Sequence, residues 1–280
     1  MNQRALFSLM GFFILTAFWA PKDTVYHPVK NESFTKGEAL YFKMTIGIFT
    51  VGKCTANVHP GYFKLNNRDC FKVDVFARTV GVVDWIVDVE NEYRAYVDTV
   101  SLLPQMFYRK QREGKYSIEE QTEFDQKNKQ ITVRTFEKKS GQWAEPVFYD
   151  ATGQIRDMIS GFLFLRAMDL PNLTLNDTIK VAGFFEDEVY QMQIVHKGEK
   201  TINTKMGKIK TLVFKPIMPK NKLFDGKESI TLYFSDDKNR IPIKFEANMF
   251  IGKASLELID YSGLRNPLNI VKAKQAPGEE

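Results

Sequence analysis

One stretch of this chain of 280 residues carries a clear helical period: Thr152 to Met168, TGQIRDMISGFLFLRAM. Ile155, Met158, Ile159, Phe162 and Leu163 fall at i, i+3, i+4, i+7 and i+8, a spacing that gathers them on one face and predicts its burial. Thr152 stands where an N-cap is expected, Arg166 complements the helix dipole near the far end, and Pro171 stops the helix. At roughly 2 kcal/mol per side chain the face contributes on the order of 10 kcal/mol gross. A single amphipathic helix must lay that face against something, and everything else in the chain reads as strands.

The strands announce themselves by alternation. Tyr190, Met192 and Ile194 alternate with Gln191 and Gln193; Ile230, Leu232 and Phe234 alternate with Thr231 and Tyr233; Ile241, Ile243, Phe245 and Ala247 alternate with Lys244, Glu246 and Asn248. Tyr116, Ile118, Glu120, Thr122 and Phe124 share a face, and Asp125 to Lys129 turns the chain into Ile131 to Phe136 as a hairpin. Alternation of this kind belongs to antiparallel sheets with one solvated face, because buried parallel strands are apolar on both sides. The HPGYFKLNNRD stretch reads as a loop after a strand over Ile48 to Val58. The 23 Phe and 11 Tyr suit cross-strand pairs or the lining of a pocket. A short echo, FTVGKCTA at 49–56 and FIGKASL at 250–256, places a Gly-Lys-small step in each half.

The expected layout is a signal peptide over 1–20, one β-rich domain over 21–265 with the helix at about 152–168 between two strand sets, and a disordered tail over 266–280. MNQR followed by the apolar run from Ala5 to Ala20 is a secretory signal, with Phe18 and Pro21 making the cut awkward and leaving an uncleaved anchor as the alternative. The run is shorter than the roughly 20 residues of a spanning helix, and no later segment is apolar enough to span a bilayer. The expected location is therefore periplasmic or otherwise exported. In that compartment Cys54 and Cys70, the only two cysteines, can form a disulfide or remain as reduced packing residues.

The net charge of +5 is dispersed, without a basic run, so nucleic acid is not expected as a partner. Ser235 to Arg240 is the densest polar cluster. Asp236 and Asp237, with Arg240, suit a cation site or an acid–base pair, but the same residues are ordinary hairpin-turn chemistry. His27, His59 and His196 are far apart, and no nucleophile elbow, zinc-protease motif, Walker loop or dinucleotide turn is present. No catalytic, metal-ligating or cofactor-binding set emerges. Asp157 and Arg166 lie nine apart and do not face each other, so each is expected to tie the helix to a neighbouring strand or loop.

Several short motifs carry a resemblance. FTKGEALYFKMTIGIFTVGKC, with Phe34, Gly37, Glu38, Leu40, Tyr41, Gly47 and Gly52, is followed by Pro104 and Phe107, Gly114 and Lys115, Phe124 and Asp125, then DMISGFLFLR, SDDKNRIPIKFE and IGKASLEL. Together, over about Phe34 to Tyr261, these resemble the bacterial exported family catalogued as domain of unknown function 3108, with Tyr233 standing where Trp is expected. The resemblance implies a mainly β envelope protein and brings no catalytic residues. The expected architecture is a curved antiparallel sheet or partly closed β-barrel with the helix on its concave face. The expected role is a non-enzymatic binding or carrier module for an apolar or lipid-like ligand held between sheet and helix. The alternatives are a structural or interaction protein that docks an envelope partner and, less favoured, an enzyme acting on glycans.

Overall fold

The computed structural model describes residues 25–81, 88–168, 170, 173–217, 228–249 and 252–271. The signal segment and Pro171 lie outside the described residues. The first strand set comprises β1 (Ala39–Ile46), β2 (Phe49–Leu65), β3 (Arg68–Thr79), β4 (Val89–Asp98), β5 (Pro104–Glu113), β6 (Tyr116–Asp125) and β7 (Gln130–Glu137), plus short β8 (Gln142–Trp143) and β9 (Val147–Asp150). Helix α1 (Met158–Ala167) follows. The second set is β10 (Thr178–Phe185), β11 (Glu188–Thr204), β12 (Gly207–Ile217), β13 (Ile230–Ser235), β14 (Pro242–Met249), β15 (Gly252–Ser262) and β16 (Ile270–Val271).

Every strand pair is antiparallel, and the two sets join where β15 lies beside β1, with Phe42 opposite Leu258 and Ile46 opposite Ala254. The path runs β10 to β15, then β1 to β8, so β10 and β7 belong to opposite ends of one sheet. Those ends nevertheless meet. Arg156, beyond β9, donates its N–H to the Ala182 carbonyl at 3.0 Å and accepts from the Phe184 N–H at 2.9 Å. The rings of Tyr149 and Phe184 are 5.2 Å apart, and the Arg109 guanidinium of β5 lies 5.3 Å from the Phe185 ring. A sheet whose ends are bridged this way is curled, and α1 sits within the curl.

The helix divides the interior into two apolar lobes. Ile159, Leu163 and Ala167 pack with Phe34, Val97, Phe107, Ile131 and Phe184 in the lobe of the first strands. Phe162, Phe164 and Leu165 face the second, with Ile179, Val181, Ile194, Phe214, Leu232 and Phe234. A third cluster, including Leu40, Phe42, Cys54, Ile209, Ile243 and Leu258, fills the junction of the two strand sets.

Several expectations are corrected. The helix begins at Met158, and its N-cap is Asp157, whose Oδ1 accepts from the Ile159 N–H at 2.7 Å and the Ser160 N–H at 3.0 Å. Thr152 plays no capping part, because the backbone ahead of the helix is engaged elsewhere. Gln126 holds both the N–H and the carbonyl of Ile155 at 3.2 and 2.7 Å, and Arg156 pairs with β10. Ile155 is therefore fully buried but outside the helix, and Met158 is 39% exposed. The HPGYFKLNNRD segment is mostly strand: β2 runs on to Leu65 and absorbs His59, Pro60 and Gly61 in a bulge, and the turn falls at Asn66 and Asn67. The tail is ordered as far as Val271, because β16 pairs Ile270 with Ile209. β13 is buried on both faces, through Leu232 and Phe234 on one and Tyr233 on the other.

The cysteines are free and buried. Cys54 is opposite Ala77 in the β2–β3 register, and Cys70 is seven residues from Ala77 (77 − 70). At about 3.3 Å per residue that separates them by roughly 23 Å, far beyond disulfide reach. Burial pushes each thiol up to about 12. Both should therefore be inert to a thiol reagent at pH 8 in the native protein, and both should react in denaturant; fast native labelling would contradict their burial. A raised thiol favours the folded state below the ordinary thiol value, and that contribution is lost as pH climbs toward about 12.

Candidate functional site

The second lobe is bordered by large apolar side chains that are only partly buried. On its helix side, Phe162, Phe164 and Leu165 are only partly buried, as are Met168, Leu170 and Leu173 just beyond α1. Across from them Met192, Ile230 and Phe245 are also partly buried, and the Phe162 ring meets Phe245 at 5.5 Å and Phe234 at 6.2 Å. These partly buried side chains form a contiguous apolar group at the rim of the lobe. The space enclosed between helix and sheet at Leu165, Ile179, Phe214 and Phe234 is only about 10 Å³. That is water-sized at most.

Two polar anchors hold α1 over this lobe. At its end, the Arg166 guanidinium reaches Glu38, just before β1, through Nη1–Oε1 at 2.6 Å and Nη2–Oε2 at 2.8 Å, with both side chains about 95% buried or more. Arg166 Nε also donates to the Asn239 carbonyl at 3.1 Å, and the Ser33 hydroxyl donates to the Arg166 carbonyl at 2.6 Å. At its start Asp157 is wholly enclosed. Burial pushes its carboxyl above the ordinary range, against the pull of the cap hydrogen bonds.

Beside that cap lies Arg156, 4% exposed, with its guanidinium 3.8 Å from the Phe164 ring. Its Nε is enclosed without a hydrogen-bond partner. Desolvation lowers Arg156 to about 10.

The polar candidates of the 235–240 cluster form a turn. Asp237 Oδ1 accepts from the Ser235 hydroxyl and from the backbone N–H groups of Asn239 and Arg240, and Oδ2 accepts from the Asn269 N–H. Asp236 lies 3.7 Å from Lys210, and Arg240 donates to the carbonyls of Arg166 and Met168 at the end of α1. These residues fasten the β13–β14 turn to the helix and the C-terminal segment. His27 is exposed, His59 meets the Phe63 ring edge-on at 4.8 Å, and His196 shares a 3.0 Å hydrogen bond between Nδ1 and the Thr174 carbonyl. Among the described residues, no group of three or more His, Cys, Asp or Glu is placed to hold a metal.

Elsewhere, the first lobe buries a paired Arg109 and Glu120, joined at 3.1 Å through both oxygens. An open polar cleft of about 590 Å³ lies at the β2–β3 and β6–β7 turns. Its Arg68 is bound bidentately by Asp98 and stacks on Tyr26 at 3.7 Å, and its Asp125 accepts from the Lys127 and Asn128 amides. Those groups are already satisfied.

Sequence reasoning missed Arg156 and Glu38 as site residues. Nothing local marks either one, because the partners that define them come from other parts of the chain.

Comparison with one solved structure agrees with this architecture. A beta-barrel-like protein of domain of unknown function DUF1849 from Brucella abortus superposes with a TM-score of 0.52 at 10% identity, covering 82% of this chain and 98% of that one. The hypothetical protein CT021 from Chlamydia trachomatis aligns with a TM-score of 0.36 at 9% identity, covering 87% of this chain and 96% of its own. No curated protein matches the chain. Residues 41–259 match the family described as protein of unknown function (DUF3108).

Proposed function

This chain belongs to the DUF3108 family, and on that footing we propose that it is an exported cell-envelope module that binds an apolar or lipid-like ligand without turning it over. The observation that carries the reading is the second lobe, where Phe162, Phe164 and Leu165 of α1 and Met192, Ile230 and Phe245 of the sheet stay partly exposed in a concavity. Leaving so much apolar area wet costs stability at about 25 cal/mol per Å², which a bound apolar chain would recover. The N-terminal MNQR and its apolar run support delivery out of the cytoplasm. Asp237 is bonded within the β13–β14 turn and Asp236 lies 3.7 Å from Lys210, contacts that favour the binding reading over glycan chemistry.

The reading is tested by organic extraction of the purified protein and mass spectrometry, together with titration of a fluorescent apolar probe. We expect saturable probe uptake that is reduced at least about tenfold by Phe245→Glu, since a charge in the lobe must be desolvated, and is unaffected by Phe148→Glu on the exposed β9. No extracted lipid together with no saturable uptake would refute it.

A second reading, docking to an envelope partner, draws on the β1–β2 hairpin tip, where Ile48 is 90% and Phe49 is 70% exposed.

A further inference from the structure

We infer that the ligand of the second lobe bears an anionic oxygen headgroup, a carboxylate or phosphate on an apolar chain, and that Arg156 receives it. This deepens the apolar-ligand reading and rests on it. Four arginines of the described chain are deeply placed and bear on the comparison. Arg109 is forked onto Glu120, Arg166 onto Glu38 and the less buried Arg68 onto Asp98. Arg156 is the exception: it is 4% exposed, its Nε is enclosed and unpartnered, and no described residue forms a hydrogen bond or ion pair with its side chain. A guanidinium whose Nε is enclosed with no hydrogen-bonded anion, and with Asp157 beside it acting only through space, is costly for a fold to hold, and an arriving carboxylate or phosphate oxygen on its terminal nitrogens offsets part of that cost.

Its setting matches the head end of an amphiphile. The Phe164 ring at 3.8 Å covers one face of the guanidinium plane, and stacking of this kind leaves the in-plane N–H donors available. Phe164 is itself part of the apolar lobe, so head site and chain site are contiguous. The neighbouring carboxylate is Asp157, whose Oδ1 is committed to the Ile159 and Ser160 amides and whose Oδ2 is enclosed without a hydrogen-bond partner, so it offsets the Arg156 charge through space without occupying its donors.

The test titrates the full chain with dodecanoate, dodecyl phosphate, dodecanol and inorganic phosphate, each below its micellar concentration, by calorimetry. At least one of the two anionic amphiphiles should bind about tenfold or more tighter than dodecanol, the increment of a charge-assisted hydrogen bond. Inorganic phosphate alone should not bind measurably. Arg156→Met should bring the anions down to the dodecanol affinity and leave dodecanol unchanged, whereas Arg156→Lys should keep part of the preference. Equal binding of dodecanol and both anions by the parent protein, or an anion preference that survives in a cooperatively folded Arg156→Met variant, overturns the inference and leaves the apolar lobe standing. Binding of inorganic phosphate as tight as dodecyl phosphate also overturns it, because the site would then be a simple anion site. Binding of none of the four overturns the lobe reading itself. If Arg156→Met does not fold, the parent's ranking of the four probes and the lysine variant decide.

Discussion

Arg166→Met is expected to lower the free energy of unfolding by about 3–5 kcal/mol, the range for breaking one partner out of a buried ion pair. The physical reason lies less in losing the attraction than in stranding Glu38. Its carboxylate is 2% exposed and accepts both forks of the arginine. Without them it must remain ionised and unsatisfied, or take up a proton. The loss extends further, because Arg166 Nε also holds the Asn239 carbonyl, and Asn239 in turn donates to the Asn266 carbonyl at 2.9 Å. The start of β1, the end of α1, the β13–β14 turn and the C-terminal segment are thus fastened at one point. Urea denaturation followed by circular dichroism measures the change, read as a shift in midpoint at constant m-value. The double variant Glu38→Leu with Arg166→Met should be less destabilised than the single change, since no charge is left behind. A single-variant loss below about 1 kcal/mol would show that the pair does not carry this role.

Leu163→Ala should cost about 2–5 kcal/mol, while Phe162→Ala, one residue earlier, should cost clearly less. The two differ in where α1 puts them. Leu163 is 5% exposed and packs in the sealed first lobe, where a lost isobutyl group leaves a cavity that a rigid wall of strands cannot close. Phe162 is only partly buried and borders the open second lobe, so truncation there leaves a site that solvent can enter. The sequence pattern alone ranks them equally. A larger loss at Phe162 than at Leu163 would mean that the helix is rotated about its axis relative to the structure described, and would remove the exposed lobe on which the binding proposal depends.

Much of the strand layout was legible from period-two alternation, because one face of most strands is wet and the other dry. β6 is an example: Glu120, Thr122 and Phe124 are buried on the face predicted to be shared. β8 and β9 were not legible, being two and four residues long and largely exposed, with no face to pattern. Long β2 was misread where Pro60 and Gly61 look like a turn, since a bulge uses the same residues without ending the strand. The helix was placed correctly in its second half and started too early. Its predicted first turn is claimed by Gln126 and by β10, and Gln126 lies 29 residues before Ile155.

The linear order of residues by itself determined that this would be an antiparallel β protein with an amphipathic helix between two strand sets, and it carried the family motifs. Those properties depend on neighbours within a few positions, where periodicity and turn chemistry act. Tertiary structure alone decided which polar groups would be satisfied. Glu38 lies 128 residues from Arg166 and is forked onto it, whereas among the described residues no carboxylate is hydrogen-bonded to the Arg156 side chain. Whether a buried charge becomes a fastener depends on what the curled sheet brings within about 3 Å of it, the range over which a hydrogen bond forms.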